Sequence, residues 1–404
     1  MLVTEVYMSH PYEDRSMKFT DMEKMIVAIL SGQIKREEVS EKIDGQNLFA
    51  SIIDGHIRFS RNKTNIKNKG AQSMSIADMK AKWKDNPSVQ EAFVESAKEL
   101  EKALLQLPKK ELDEIFENGR NWINIEIVWA GNKNVIDYDG SSIVIHNLNV
   151  IEDDGSNAGI PDNLQKKLFN LIKKVEPGKL KVKTPIMLQI KPDVDFSAKK
   201  DIYIKKINAF RTKQKVGKNK TLEDWLNEFW EKKLTAIENK FKHKLDPKVK
   251  KKLINRLSNF DKSYKIPQIK KDIGFVPVYT EFKKLDDDAT KITKEATKPL
   301  EIAFLQLGAE VMKNIDTYLT ANPDKTIQSL RKDIASRIKA IKSANNMDDL
   351  SKMRELVRKV QAVGGFDSIV PTEGIVFKWN DKVYKLTGVF APINQLLGLG
   401  RYNR

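Results

Sequence analysis

The segment EKIDGQNLFASIIDGHIRFS, residues 41–60, sets the reading of this chain. From Leu48 to Ser60 it holds two short apolar, β-branched runs separated by Asp54-Gly55, a pair whose readiness for positive φ closes a tight hairpin. Working outward, residues 45–72 and 121–152 share this strand texture, with INIEIVW, SSIVIHNLNVI and an Asp139-Gly140 turn. Between them, Ser88 to Gly119 spaces Val89, Phe93, Leu100 and Leu104 as one face of a helix. From Pro161 helices dominate, over Leu222–Leu245, Lys298–Leu319, Thr326–Ser343 and Met347–Val363, interrupted by a strand-like patch from Ile186 to Ile207. After Gly364-Gly365 strands return as EGIVFKW and KVYKLTGVF around Asn380-Asp381. The expected fold is α+β, an antiparallel-sheet core in two sequence pieces, residues 1–160 and 365–404, around a basic helical insertion, residues 161–364.

Composition narrows the chemistry. The absence of cysteine excludes disulfides, thiolate zinc sites, iron–sulfur clusters and cysteine nucleophiles. Four scattered histidines, His10, His56, His146 and His243, do not make a metal cluster, so any metal is a hard ion on carboxylates and phosphates, Mg²⁺ or Mn²⁺. No apolar run reaches the roughly 20 residues that cross a bilayer, and no signal peptide is evident. A cytoplasmic monomer without membrane or disulfide partners is expected. The net charge of +17 suggests a polyanion. It is uneven: residues 161–364 carry about +21, leaving about −4 elsewhere.

Three stretches carry candidate chemistry. Glu41-Lys42-Ile43-Asp44-Gly45-Gln46-Asn47 alone reads as a surface turn. Ile123-Asn124-Ile125-Glu126-Ile127 places a carboxylate inside an apolar strand, and Glu373-Gly374-Ile375-Val376-Phe377-Lys378 is followed by Lys382-Val383-Tyr384-Lys385. Charges in strands are costly unless partnered or bound to a ligand. Several of both signs suggest a phosphate-and-metal site.

In this order, Lys-x-Asp-Gly, Ser-Arg-Asn-Lys, Ile-Glu-Ile, Glu-Gly-Ile-Val-Phe-Lys and Tyr-Lys-Leu resemble the motifs of the covalent nucleotidyltransferases: ATP-dependent DNA and RNA ligases and capping enzymes. The matching segments span roughly residues 38–152 and 366–390. The resemblance implies an ATP-grasp-like ligase adenylation core using ATP with Mg²⁺ or Mn²⁺. Lys42 would attack the α-phosphate and hold AMP, its pKa lowered by neighbouring positive charge and a divalent metal. Asp44 would stand beside Lys42 at the catalytic centre. Glu41, Gly45, Asn47, Arg61, Glu126, Glu373, Lys378 and Lys385 would bind the nucleotide, and Glu126 and Glu373 the metal. Lys385 fits the last lysine motif better than Lys382. Asn47 is similar to the RNA-ligase branch, whereas Asp44 looks DNA-ligase-like. The implied activity is RNA-ligase-like sealing, of the kind used in RNA repair. The alternatives are a DNA ligase, an adenylyltransferase with another acceptor, or a non-catalytic nucleic-acid-binding relic of the fold.

Only 19 residues follow Lys385, too few for the OB-fold that ligases and capping enzymes carry there, so no carboxyl-terminal OB-fold is expected. Lys42 and Glu126 are 84 residues apart, whereas Glu126 and Glu373 are 247 apart, which locates the insertion. Its lysines Lys213, Lys215, Lys218, Lys220, Lys248, Lys250, Lys251 and Lys252 are the expected phosphate contacts of a nucleic-acid clamp. Trp225, Phe229, Trp230, Phe241 and Tyr264 could stack on bases, but helical spacing favours Trp225, Phe229 and Phe241 as core. The run Asp286-Asp287-Asp288 reads as a solvated acidic loop.

Overall fold

Strand β1 (Val39–Lys42) and β2 (Gln46–Ile53) are separated by the Ile43–Gly45 corner, and β2 folds back as β3 (His56–Ser60). The computed structural model that shows this describes residues 8–399, apart from 133–134, 137, 139, 316–317, 319, 321 and 381. Asp139 and Asp381, each half of an expected turn, lie outside the described residues. Asp54 and Gly55 take φ of 52° and 76° in the two-residue loop of the β2–β3 hairpin. Next come β4 (Asn121–Val128), β5 (Ser142–Ile151), β6 (Asn157–Gly159) and β7 (Lys181–Lys183), and last β8 (Gly374–Trp379) and β9 (Lys382–Leu386).

These strands build two sheets. One has the order β3-β2-β4-β5-β6, antiparallel throughout, with β7 added parallel to β5. The other joins β1, β8 and β9, all antiparallel, so residues 39–42 pair with residues more than 330 positions later. The chain is therefore α+β, and no barrel is present among the described residues.

The larger sheet is placed by alternation. Leu48 and Ala50 of β2, Ile123, Ile125 and Ile127 of β4, and Ile143 and Ile145 of β5 point to one face. Against them the helix Pro87–Leu104 lays Phe93, Ala97, Leu100 and Leu104, spaced as its sequence requires. Asn86 caps that helix by accepting the Val89 N–H, and Pro87 occupies its first turn. Each fully buried Phe or Leu here contributes about 1.5–3 kcal/mol. This face is closed by packing, which leaves the opposite face to carry the polar residues.

Contacts divide the chain into two units. The first comprises Ile34–Lys191 together with the residues from Gly308 on; the second comprises Ser9–Gln33 and Pro192–Leu307. The boundaries thus differ from the expected 161–364 block at both ends. The helix Asp162–Ile172 buries Leu168 and Ile172 in the core of the larger sheet, and β7 pairs with β5, which holds 161–191 in the first unit. The helices Pro323–Ala344 and Met347–Ala362 pack on the helix Phe390–Gly398, which holds the later residues there too. The charge divides accordingly, about +10 on the second unit and about +7 on the first, so the first is not near neutral.

Within the second unit, the helix Phe19–Leu30 packs on the helix Phe196–Gln214, with the Phe19 and Phe210 rings 5.8 Å apart. The strand texture of 186–207 is overruled here: Tyr203, Ile207 and Phe210 are buried at steps of four and three, a helical face. A second core gathers Trp230 and Leu234 of the helix Leu222–Phe241, Leu253 and Leu257 of Pro247–Asn259, Ile269 of Ile266–Ile273, and Phe282 of Val276–Lys313. Trp225 and Trp230 are both fully buried, as core residues rather than stacking surfaces. Asp286 is not in a loop: it lies inside the 38-residue helix Val276–Lys313, buried, and accepts two hydrogen bonds from Arg256 at 2.8 and 2.7 Å and one from Lys262 at 3.0 Å. No helix is long and apolar enough to cross a membrane among the described residues.

Candidate active site

Lys42 ends β1, opposite Gly374 at the start of β8. Residues paired across an antiparallel ladder share a face, and faces alternate along each strand. Lys42, Ser40, Val376, Lys378 and Lys385 therefore lie on one face of the small sheet, while Lys382 falls on the other. Alternation alone separates the two lysines of the last motif. Gly374 makes the pairing possible: its φ is 155°, and a Cβ there would run into the Leu386 carbonyl oxygen.

The ammonium of Lys42 forms an ion pair with Glu373, and both side chains are largely buried, at 16% and 14% exposure. Glu373 immediately precedes β8, so the pairing of β1 with β8 delivers its carboxylate to the lysine. Burial pushes the Glu373 carboxyl up to about 7, against the pull of Lys42. Burial acts to lower the Lys42 pKa, but Glu373, Glu126 and Asp44 together outweigh it and raise the value. The neighbours that set this direction are carboxylates rather than the positive groups and divalent metal of the expectation, and they hold the amine protonated.

Glu126 comes from the larger sheet. Asn47, Glu126, Val144 and Lys183 form one cross-strand row over β2, β4, β5 and β7, on the face away from the helix-covered core. Gly45 allows the close approach of the two strands, since a Cβ there would meet the Glu126 Cγ at 2.6 Å. Glu126 also faces His146, whose Nε2 lies 3.6 Å from its carboxylate and whose side chain is 6% exposed. Asn47 donates its side-chain amide to the Asn124 side-chain oxygen and, at 3.5 Å, to the Ile125 carbonyl. The polar face of the sheet is therefore Asn47, Asn124, Glu126 and His146.

Asp44 has a role of its own. Its Oδ2 accepts the N–H groups of both Val135 and Ile136 at 2.7 Å, and its own N–H donates to the Tyr138 hydroxyl at 2.9 Å. It thus pins the segment between β4 and β5 beside Lys42. Burial raises its pKa despite the two N–H bonds and Lys42.

Other residues stand elsewhere. Arg61 lies over the Phe93 ring at 4.9 Å, and Phe93 belongs to the helix-covered core. Glu41 is fully buried on the opposite face of β1 from Lys42, and its backbone N–H donates to the Ile186 carbonyl. Lys378 is an ion-pair partner of Asp162 at 3.5 Å. In the second unit Lys213, Lys215, Lys218, Lys248, Lys251 and Lys252 are exposed, and Lys252 covers the Tyr264 ring. Lys220 pairs with Glu228 at 3.6 Å, and Lys250 is committed to the buried Glu238 at 2.8 Å.

Two residues of this site escaped the sequence reading, and a third, His146, entered it only as one of four scattered histidines. Tyr138 and His146 lacked a motif, although His146 follows the alternation of β5. Lys183 lies in a three-residue strand between loops; burial and Lys181 lower its pKa, against Glu41. Glu126 and Glu373 fit a hard divalent ion, which takes one or two carboxylates and completes its shell with water and phosphate oxygens. No group of three or more His, Asp or Glu side chains forms a ready cage among the described residues. No family model, curated protein or solved structure matches this chain.

Proposed function

We propose that this chain is an ATP-dependent polynucleotide ligase of the covalent nucleotidyltransferase type, nearest in its motifs to RNA ligases. One observation carries the reading: a largely buried lysine is paired with Glu373, 331 residues later in sequence, and lies within the field of Glu126 and Asp44. Such an amine gathers too much carboxylate to be structural filler, because removing charges from water costs several kcal/mol per ion.

The chemistry follows from the pair. Lys42 must lose a proton before its Nζ can form a bond to the α-phosphorus of ATP, as the bond to the pyrophosphate oxygen breaks. Glu373, already in contact and raised to about 7, is placed to take that proton. Lys385 shares the face of Lys42 and supplies positive charge to the phosphate oxygens. Glu126 and Glu373 would hold Mg²⁺ or Mn²⁺, which when bound offsets their charge and so favours the neutral amine. The AMP then passes to a 5′-phosphate, and a 3′-hydroxyl displaces it, sealing the strand. The exposed lysines of the second unit are the proposed polynucleotide grip.

Incubation with α-labelled ATP and Mg²⁺ should label the protein, and Lys42→Ala should abolish the label. A labelled Lys42→Ala variant would refute the assignment. A labelled wild type that seals no RNA or DNA end would instead favour an adenylyltransferase with another acceptor. No adduct, with salt-sensitive RNA binding intact, would favour a non-catalytic relic.

A further inference from the structure

The second unit presents an aromatic surface that the active-site argument does not use. The helix Ile266–Ile273 stops at Gly274, with φ of 66°, and the helix Val276–Lys313 begins two residues later. The break lifts Phe275 and Val276 out of the core, to 37% and 65% exposure. Among the described residues they are the adjacent pair in the set of exposed large hydrophobics, and Phe275 is its aromatic member. Leaving them in water forgoes the stabilisation that burial elsewhere in the fold secures.

Phe275 is nevertheless held. The His243 ring stacks on it at 4.8 Å and 26°, and Phe241 meets it edge-on at 6.5 Å. His243 and Phe241 come from the end of the helix Leu222–Phe241, so two chain segments meet through aromatic rings. Both segments are basic. Lys242 and Lys244 flank His243, Lys270 and Lys271 precede Phe275, and all four are exposed. None of the four is joined to a carboxylate in an ion pair among the described residues. The nearby acids are engaged: Asp272 with Tyr264 and Gln268, Glu281 with Lys240 and Lys284, Glu238 with Lys250. Lys271 and Lys244 lie within the fields of Asp272 and Glu238, and the lysines around the rings outnumber the acids that face them.

We infer that the Phe275–His243 surface is a stacking platform for single-stranded polynucleotide. A base continues the His243–Phe275 stack, and Lys242, Lys244, Lys270 and Lys271 meet the flanking phosphates without reading sequence. Stacked rings interleaved with exposed lysines match a polymer of flat bases and anionic links. A lipid surface would require a continuous apolar helix face, and two residues do not make one. The inference deepens the ligase reading and rests on it for what is done with the strand; binding itself does not require Lys42 chemistry.

The test uses the full chain and fluorescein-labelled oligo(U) and oligo(dT) twelve-mers, followed by anisotropy at several salt concentrations. Phe275→Ala should weaken binding about tenfold, through the loss of one stacked base. Phe275→Trp should bind at least as well as wild type, whereas Phe275→Leu, which keeps the apolar bulk, should behave like alanine. Lys242→Ala with Lys244→Ala should flatten the salt dependence while the stacking contribution persists. Circular dichroism and lysine adenylylation, both expected unchanged in Phe275→Ala, separate loss of the platform from loss of fold or active site. Equal affinity of wild type and Phe275→Ala would overturn the platform, whatever the fate of the adduct. Loss in Phe275→Ala of binding to phosphatidylserine vesicles, with oligonucleotide binding unchanged, would also overturn it and assign the surface to membranes.

Discussion

Asp44 offers the sharpest test of how the site is held. Its Oδ2 alone accepts the buried N–H groups of Val135 and Ile136. Alanine at this position orphans both donors, and each buried unsatisfied group costs about 1–3 kcal/mol, so Asp44→Ala should lose about 2–6 kcal/mol. A domain is typically stable by only about 5–15 kcal/mol, so the loss is a large share of the whole. Asparagine is different. Because both bonds end on one oxygen, a single amide oxygen can accept both, and Asp44→Asn should lose only the charge-assisted part, about 1 kcal/mol per bond. Two measurements distinguish them: the urea midpoint of the first unit, and hydrogen exchange at Val135 and Ile136. Exchange should be strongly accelerated in Asp44→Ala and close to wild type in Asp44→Asn. Equal stability and equal protection in the two variants would refute the idea that Asp44 anchors this segment.

Further outcomes follow from other residues. Glu373 has its folded pKa raised above the ordinary carboxylate value, so the folded state binds the extra proton and the contribution of this group falls as pH rises from about 4.5 to about 7; Glu373→Gln should flatten that part of the urea-stability profile. The same variant should slow lysine adenylylation most above about pH 7, where the Glu373 carboxylate is free to take the Lys42 proton, and least below it; an unchanged rate–pH profile would remove it from that role. Arg256→Met should destabilise the second unit by up to about 3–5 kcal/mol by leaving the buried Asp286 carboxylate with Lys262 as its remaining ion-pair partner, whereas Arg256→Met with Asp286→Leu should restore most of it, as followed by thermal denaturation. Gly374→Ala forces a Cβ onto the Leu386 carbonyl at a φ that disfavours side chains, so strand exchange protection in β8 and β9 should collapse together with adenylylation.

The antiparallel core and the partnership of distant strands were legible because strands bury alternate residues: Leu48, Ala50, Ile123 and Ile125 announce their face by spacing alone. The motif order pointed to Lys42 and Glu373, which the fold brings into contact. Alternation also separated Lys385 from Lys382 once pairing was known. What remained hidden was three-dimensional. The β-branched run before residue 207 looks like a strand, yet one face of a helix needs only Tyr203, Ile207 and Phe210. Asp286 looks solvated in a triple-acid run, because its partner Arg256 lies 30 residues away. The charge boundary misplaced the units because lysine count says nothing about which helices bury Leu168 or Ile172. Arg61 looked poised for phosphate, and sequence did not show that its guanidinium stands over the Phe93 ring of the helix Pro87–Leu104.

The contact between Lys42 and Glu373 also fixes when the protein can act. A nascent chain emerges amino terminus first, so the lysine is made early and waits while more than three hundred further residues are synthesised. Until β8 arrives, β1 has neither its ladder partner nor the carboxylate at its end. Any chain that ends before residue 373 therefore carries the lysine without its carboxylate partner. Closing so long a loop is slow, and contacts of this separation form late. On the proposed ligase reading, a copy made only in part lacks this pair and would not charge itself with AMP.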